Sequence, residues 1–161
     1  MKSSIYNSGI IKQKNCDKLN ILYLMKKKCY KKSSYLESVT DIDVHKKFTK
    51  LRIGCSNLGS HKFYTLKKDN CVHCENCNED VSHFLLHCKG YETIRNNFLA
   101  EVNKDFSIFK DLSNIQKILS ILSLKLPIFG CNDKTSKFVN LCIGYINDLF
   151  QVRFFSMNTK G

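Results

Sequence analysis

The chain has 161 residues, with 26 Lys+Arg against 14 Asp+Glu and a net charge of +12. Hydrophobic residues make up 43% and charged residues 25%, the composition of one folded domain with at most an appendage, not of a disordered chain. No apolar run reaches the roughly 18 residues of a membrane span, because the longest candidate, Ile115 to Phe129, is broken by Gln116, Lys117 and Lys125. Met1 to Asn7 has no apolar core of the kind a secretory signal needs.

Residues 1–40 read as a basic arm. Residues 1–18 carry no hydrophobic period, and the short apolar patch Leu19 to Met25 runs into Lys26-Lys27-Lys28 and Lys31-Lys32, a helix with a cationic end or a solvated surface. A helical domain is expected over 41–155, with a tail at 156–161. Asp41 or Asp43 caps a first helix whose apolar positions are Val44, Phe48 and Leu51, stopped by Gly54. Residues 55–70 read as a turn at 57–60, a short extended piece from Lys62 to Leu66 and a second turn at 67–70. Tyr91, Ile94, Phe98 and Val102 mark a second helix. Leu112, Ile115, Ile118, Leu119, Leu122 and Leu126 mark a third, closed by Pro127. Asp133 or Thr135 opens the last, with Phe138, Leu141, Cys142, Tyr145, Leu149 and Val152 on one face. The fold class is mostly α: a small domain of four or five short helices with short irregular or extended connections.

The charge is uneven. Residues 1–70 hold 16 Lys/Arg and 5 Asp/Glu, a net of +11, whereas residues 71–161 hold 10 and 9, a net of +1. RNA or DNA is the natural partner of such a half-chain, because each neutralised phosphate releases condensed counterions. Arg52, Lys62, Lys67, Lys68 and Lys89 are the candidate phosphate contacts, with Phe63 or Tyr64 either stacked on an unpaired base or packed in the core. The competing reading is coding bias: 23 of the 26 cations are Lys, in a chain also rich in Asn and Ile. No membrane and no small-molecule partner is indicated.

Nine Cys, an odd number without secretory context, suit reduced thiols in the nucleus or cytoplasm rather than a disulfide scaffold. Four of the nine Cys and three of the five His fall within residues 71–88. The pattern Cys71-x2-Cys74-x8-His83-x4-Cys88 supplies four N/S ligands for a tetrahedral zinc: two thiolates from a tight knuckle, two ligands from a short helix and its end. Cys74-x2-Cys77-x5-His83-x4-Cys88 is an alternative close to the spacing of a retroviral-type knuckle, and His87, one turn after His83, is an alternative to Cys88. Cys16, Cys29, Cys55, Cys131 and Cys142 have no such partners and read as small apolar residues.

The neighbours of these ligands carry a resemblance. Leu51-Arg52-x-Gly54 precedes the Cys-x2-Cys by about 17 residues. Glu79-Asp80-x-x-His83-Phe84-Leu85-Leu86-x-Cys88 follows, then x-x-Tyr91 and Arg95. This resembles the zinc-binding C-terminal segment of non-LTR retrotransposon reverse transcriptases over about residues 46–100, with a weaker echo reaching Arg153. The resemblance implies zinc on Cys71, Cys74, His83 and Cys88, a zinc module over about 51–100, and a nucleic-acid-binding role detached from the polymerase, as in a piece of a mobile-element polyprotein. Phe84, Leu85 and Leu86 would dock the short helix on the core. The sequence departs from the family pattern in offering Cys77, His73 and His87 as further ligands.

Catalysis is not expected. A reverse transcriptase holds its two metal ions on a Tyr/Phe-x-Asp-Asp hairpin, and this chain contains no Asp-Asp pair. Gly54-x4-Gly59-Ser60 lacks the P-loop lysine, and His83-Phe-Leu-Leu-His87 lacks the glutamate of a zinc peptidase helix. Four protein ligands also leave zinc no open position for water. A structural or interaction domain without nucleic-acid activity, such as a decayed reading frame, is the alternative.

Overall fold

A computed structural model describes residues 39–56, 58, 70–74, 77–126 and 134–159. The expected basic arm, the extended piece Lys62 to Leu66 with Phe63 and Tyr64, Pro127 and Asp133 lie outside the described residues. Within them the protein is helical, without a named strand, as the periodicity requires.

Helix α1 (Ile42–Ile53) is built by its caps and its stripe. The Asp41 carboxylate accepts hydrogen bonds from the amides of Asp43 (2.8 Å) and Val44 (3.3 Å), so Asp41 is the cap and Asp43 sits in the first turn. Gly54 ends the helix at φ 70°, a left-handed conformation that a Cβ would strain, and its N–H reaches the Lys50 carbonyl. Val44, Phe48 and Leu51 are buried, as their spacing predicts.

Helix α2 (Glu92–Asp105) follows a 3-10 turn at Lys89–Tyr91 and buries Phe98 and Val102. A one-turn helix, α3 (Ile108–Asp111), then turns Phe109 inward. Helix α4 (Asn114–Ser123) opens on a capping box: the Ser113 hydroxyl accepts from the Gln116 amide and the Gln116 side chain from the Ser113 amide. The α4 stripe differs from the expected one. Leu112 precedes the helix, Ile115 is 60% exposed, and Ile118, Ser120, Ile121 and Leu122 face inward. The Ser113 cap sets the start two residues after Leu112, which rotates the buried face. The helix also stops ahead of Pro127, on Leu124 in a left-handed conformation (φ 54°) whose cost of about 1–2 kcal/mol its own burial offsets.

Helix α5 (Lys134–Thr159) is 26 residues long, not short, and runs on through residue 155 to Thr159. It contains no proline, and Gly144 stands in open space without breaking it. Phe138, Cys142, Tyr145, Ile146 and Leu149 are buried along it, and α2 packs along this face. The core between them is aromatic. Phe98 stacks on Tyr145 (centroids 4.1 Å, interplanar 7°), and Phe98, Phe106, Phe109 and Phe138 meet at 5.4–6.0 Å in edge-on or tilted contacts. The α1 helix packs on α4 and α5, and the Arg52 guanidinium fastens it by donating to the Leu122 carbonyl, from Nε at 2.6 Å and from Nη2.

Candidate metal centre

The site is assembled from two pieces of chain with little regular structure. The first is a knuckle. An isolated bridge between Asn70 and Asn78 and the Cys71 N–H to Cys77 carbonyl bond (2.8 Å) tie the two ends of the knuckle together, with Cys71 and Cys74 in one cluster. The second is a helical turn. The Asp80 side chain accepts from the His83 amide at 2.6 Å, capping the turn, and His83–His87 is wound as a π turn closed by the Cys88 N–H on the His83 carbonyl at 2.7 Å. The wide turn places His83 and Cys88 over the knuckle and sends Phe84 and Leu85 into the core, both fully buried.

The Nδ1/Nε2 or Sγ atoms of Cys71, Cys74, His83 and Cys88 lie within 4.8 Å of one another. The Sγ of Cys88 is 3.5 Å from that of Cys71 and 3.7 Å from that of Cys74. These are not disulfide distances, which are about 2.05 Å. They match the edge of a tetrahedron around a metal with ~2.3 Å metal–sulfur bonds, about 3.8 Å. The cysteines are free, and the His83 Nε2 is buried without a hydrogen-bond partner among the described residues. A buried, unsatisfied imidazole nitrogen beside three thiols is the arrangement a metal ion completes.

Backbone amides are already turned toward the sulfurs. The Cys71 Sγ accepts from the His73 N–H (3.4 Å), and the amides of Cys74, Lys89 and Gly90 act to favour the thiolates of the cluster. Burial pushes the thiols of Cys71 and Cys88 up from the ordinary cysteine range. Burial acts the same way on Cys74, but the Lys89 amide and the Cys88 and Cys71 thiols outweigh it and hold Cys74 below that range. Desolvation, the largest influence on His83, favours its neutral, metal-competent form.

The alternatives in the sequence separate cleanly. The thiol of Cys77 stays out of the cluster; its carbonyl closes the knuckle. The His87 ring is exposed and its Nε2 meets the Asn114 amide at 3.4 Å. The His73 ring lies edge-on to Tyr91 (4.6 Å) and covers Gly90 so closely that a Cβ there would overlap it. Cys142 is fully buried in the aromatic core, as a small apolar residue is, while Cys55 is exposed at the end of α1.

The residues around the ligands are fixed by the fold. Glu79 and Arg153 form an ion pair of 2.7 Å with side chains 1% and 4% exposed, tying the knuckle to α5. Arg95 donates to the Cys88 carbonyl at 2.9 Å, orienting a ligand through its backbone. Tyr91 is fully buried edge-on to Phe84, and the Tyr145 hydroxyl donates to the Leu85 carbonyl. The sequence carries one signal for the Glu79–Arg153 pair. Arg153 follows Leu149 by four positions on the buried stripe of α5, and an arginine there needs a buried acid.

Of the candidate phosphate contacts, Lys89 is exposed beside the cluster, and its amide serves Cys74. Arg52 is half-buried and donates to the Leu122 carbonyl, joining α1 to α4. Lys62, Lys67 and Lys68 lie outside the described residues. No described helix is long and apolar enough to cross a membrane.

Fold and site together define a small helical domain carrying a closed three-thiol, one-imidazole cluster. No family model, no curated protein and no solved structure matches this chain.

Proposed function

We propose that the protein is a non-catalytic zinc-binding module that holds nucleic acid, of the kind that ends a non-LTR retrotransposon reverse transcriptase. The convergence of Cys71, Cys74, His83 and Cys88 carries this reading. Three thiolates and one imidazole favour zinc, and four protein ligands leave no position for a reacting water, so the metal supports the fold and does no chemistry. The ligands need a reducing compartment, nucleus or cytoplasm, to stay free thiols. The residues that carry the resemblance have structural work in the same site: Asp80 caps, Phe84 and Leu85 anchor, Tyr91 packs, Arg95 orients and Glu79 pairs with Arg153.

The net of +11 over residues 1–70 supports RNA or DNA as the partner. Metal analysis of the purified chain is expected to give one zinc. Contact with about five phosphates gives log K a slope near −3.5 against log salt on single strands. Deleting residues 1–40 removes nine Lys, Asp17 and Glu37, a net of +7, and should lower both affinity and slope while the metal stays bound. A metal-loaded chain that binds neither RNA nor DNA at physiological salt would instead be a structural or interaction domain, its lysines a coding bias.

A further inference from the structure

The last two turns of α5 and one flank of α1 border an open cleft of about 350 Å³ that the metal centre does not use. Phe150, Phe154, Phe155 and Met157 line it from α5 and Lys47 from α1. Phe150 is half-buried against Phe84, but Phe154 and Phe155 are 63% and 62% exposed, with ring centroids 6.2 Å apart and planes at 72°. Two adjacent phenylalanines in water cost hydrophobic free energy that the fold does not recover. The Lys47 ammonium donates to Asn147 Oδ1 at 2.6 Å, which holds it at the cleft, and no carboxylate pairs with it among the described residues. Lys50 follows one turn later, exposed. The cleft thus offers two aromatic faces and an uncompensated cation.

We propose that this cleft is a stacking site for single-stranded nucleic acid, with a base stacked on one of the two rings, Phe154 or Phe155, and the adjoining phosphate on Lys47. The proposal rests on the nucleic-acid reading above and gives it a place. Charge selects the occupant. A second copy of a +12 chain is repelled, whereas a polyanion with flat apolar bases matches cation and rings together. An acidic amphipathic helix is the competing occupant.

The test uses the full zinc-loaded chain and a single-stranded oligonucleotide of about 12 nucleotides, within the site sizes of such proteins. Phe154→Ala with Phe155→Ala should weaken binding about tenfold or more at fixed salt, with the salt slope unchanged. Phe154→Tyr with Phe155→Tyr, which keeps both rings, should bind like the parent. Lys47→Ala should lower the slope by about 0.7. Ile115→Ala, at another exposed apolar residue, should change nothing. Both rings are on the surface, and unchanged circular dichroism and zinc content would verify the fold of each variant. If the parent binds and the double alanine variant binds equally, the cleft proposal is overturned while the nucleic-acid reading survives. If the parent does not bind, both fall. An acidic helical peptide that loses affinity on the double alanine change, with the oligonucleotide unaffected, assigns the cleft to a protein and overturns the proposal.

Discussion

The knuckle at residues 70–91 and the helical layer of α2 and α5 are ordered by different physics. The layer has an aromatic core: Phe98, Phe106, Phe109, Phe138 and Tyr145 interlock, and burial of that apolar area holds the two helices together. Among the described residues the knuckle has one bridge, a π turn and a 3-10 turn, and its buried side chains from 70 to 80 are Cys71 and Glu79. Such a loop cannot meet the entropy of its own ordering from apolar burial, and a metal held by the four-residue cluster would offset the deficit. The regions meet through Phe84, Leu85 and Tyr91, the Glu79–Arg153 pair and the Tyr145 bond to Leu85. A loop with little core of its own thus leans on the core of its neighbours, and its four clustered ligands could add a metal.

The largest effect should come from removing the metal. Structural zinc contributes about 10–16 kcal/mol of apparent binding free energy in small peptides. A chelator, or Cys74→Ser, should leave the amides of 71–77 exchanging freely while α2 and α5 keep protection at a lower Tm. Cys77→Ser should do neither, because its thiol is outside the cluster. Hydrogen exchange read by mass spectrometry checks this, and equal loss of protection in both regions would erase the contrast between them.

Next comes the buried ion pair. Glu79→Ala leaves the Arg153 charge uncompensated in the interior and should cost about 3–5 kcal/mol in urea unfolding. Glu79→Leu combined with Arg153→Met should recover most of that loss, since apolar replacement of both partners removes the stranded charge. A double variant no better than the single one would mean that the pair contributes more than its charges.

The smallest effect should be local. Gly90→Ala places a Cβ against the His73 ring and disturbs the amide that serves Cys74 and Cys88. It should weaken metal binding, with a cost of about 1–3 kcal/mol from overpacking. Competition with a chromophoric chelator measures it. His73→Ala in the same chain should restore part of the affinity by vacating the space, which sharpens the assignment of His73 as packing rather than ligand.

The caps and stripe of α1, the face of α2 and most of the α5 stripe were legible because each depends on residues near one another in sequence. The α4 stripe was not, since Ser113 and Gln116 set the start that rotates it. The four ligands were legible as a spacing, with Cys77, His73 and His87 left open beside them. Closing that choice needed three dimensions: the π turn aims His83 and Cys88 inward and His87 outward, and Gly90 and Tyr91 claim the His73 ring.

What the sequence by itself determined is therefore local: helix caps, apolar periods, the ligand types and the excess of positive charge. What only the tertiary structure decided is which distant groups meet. Arg52 is drawn to the end of α4, Arg153 to Glu79 and Tyr145 to the turn between the ligands. A cation or hydroxyl reads the same in a sequence whether it faces water or a buried partner. Desolvation makes the difference, because a polar group inside the core must find the partner that the packing brings to it.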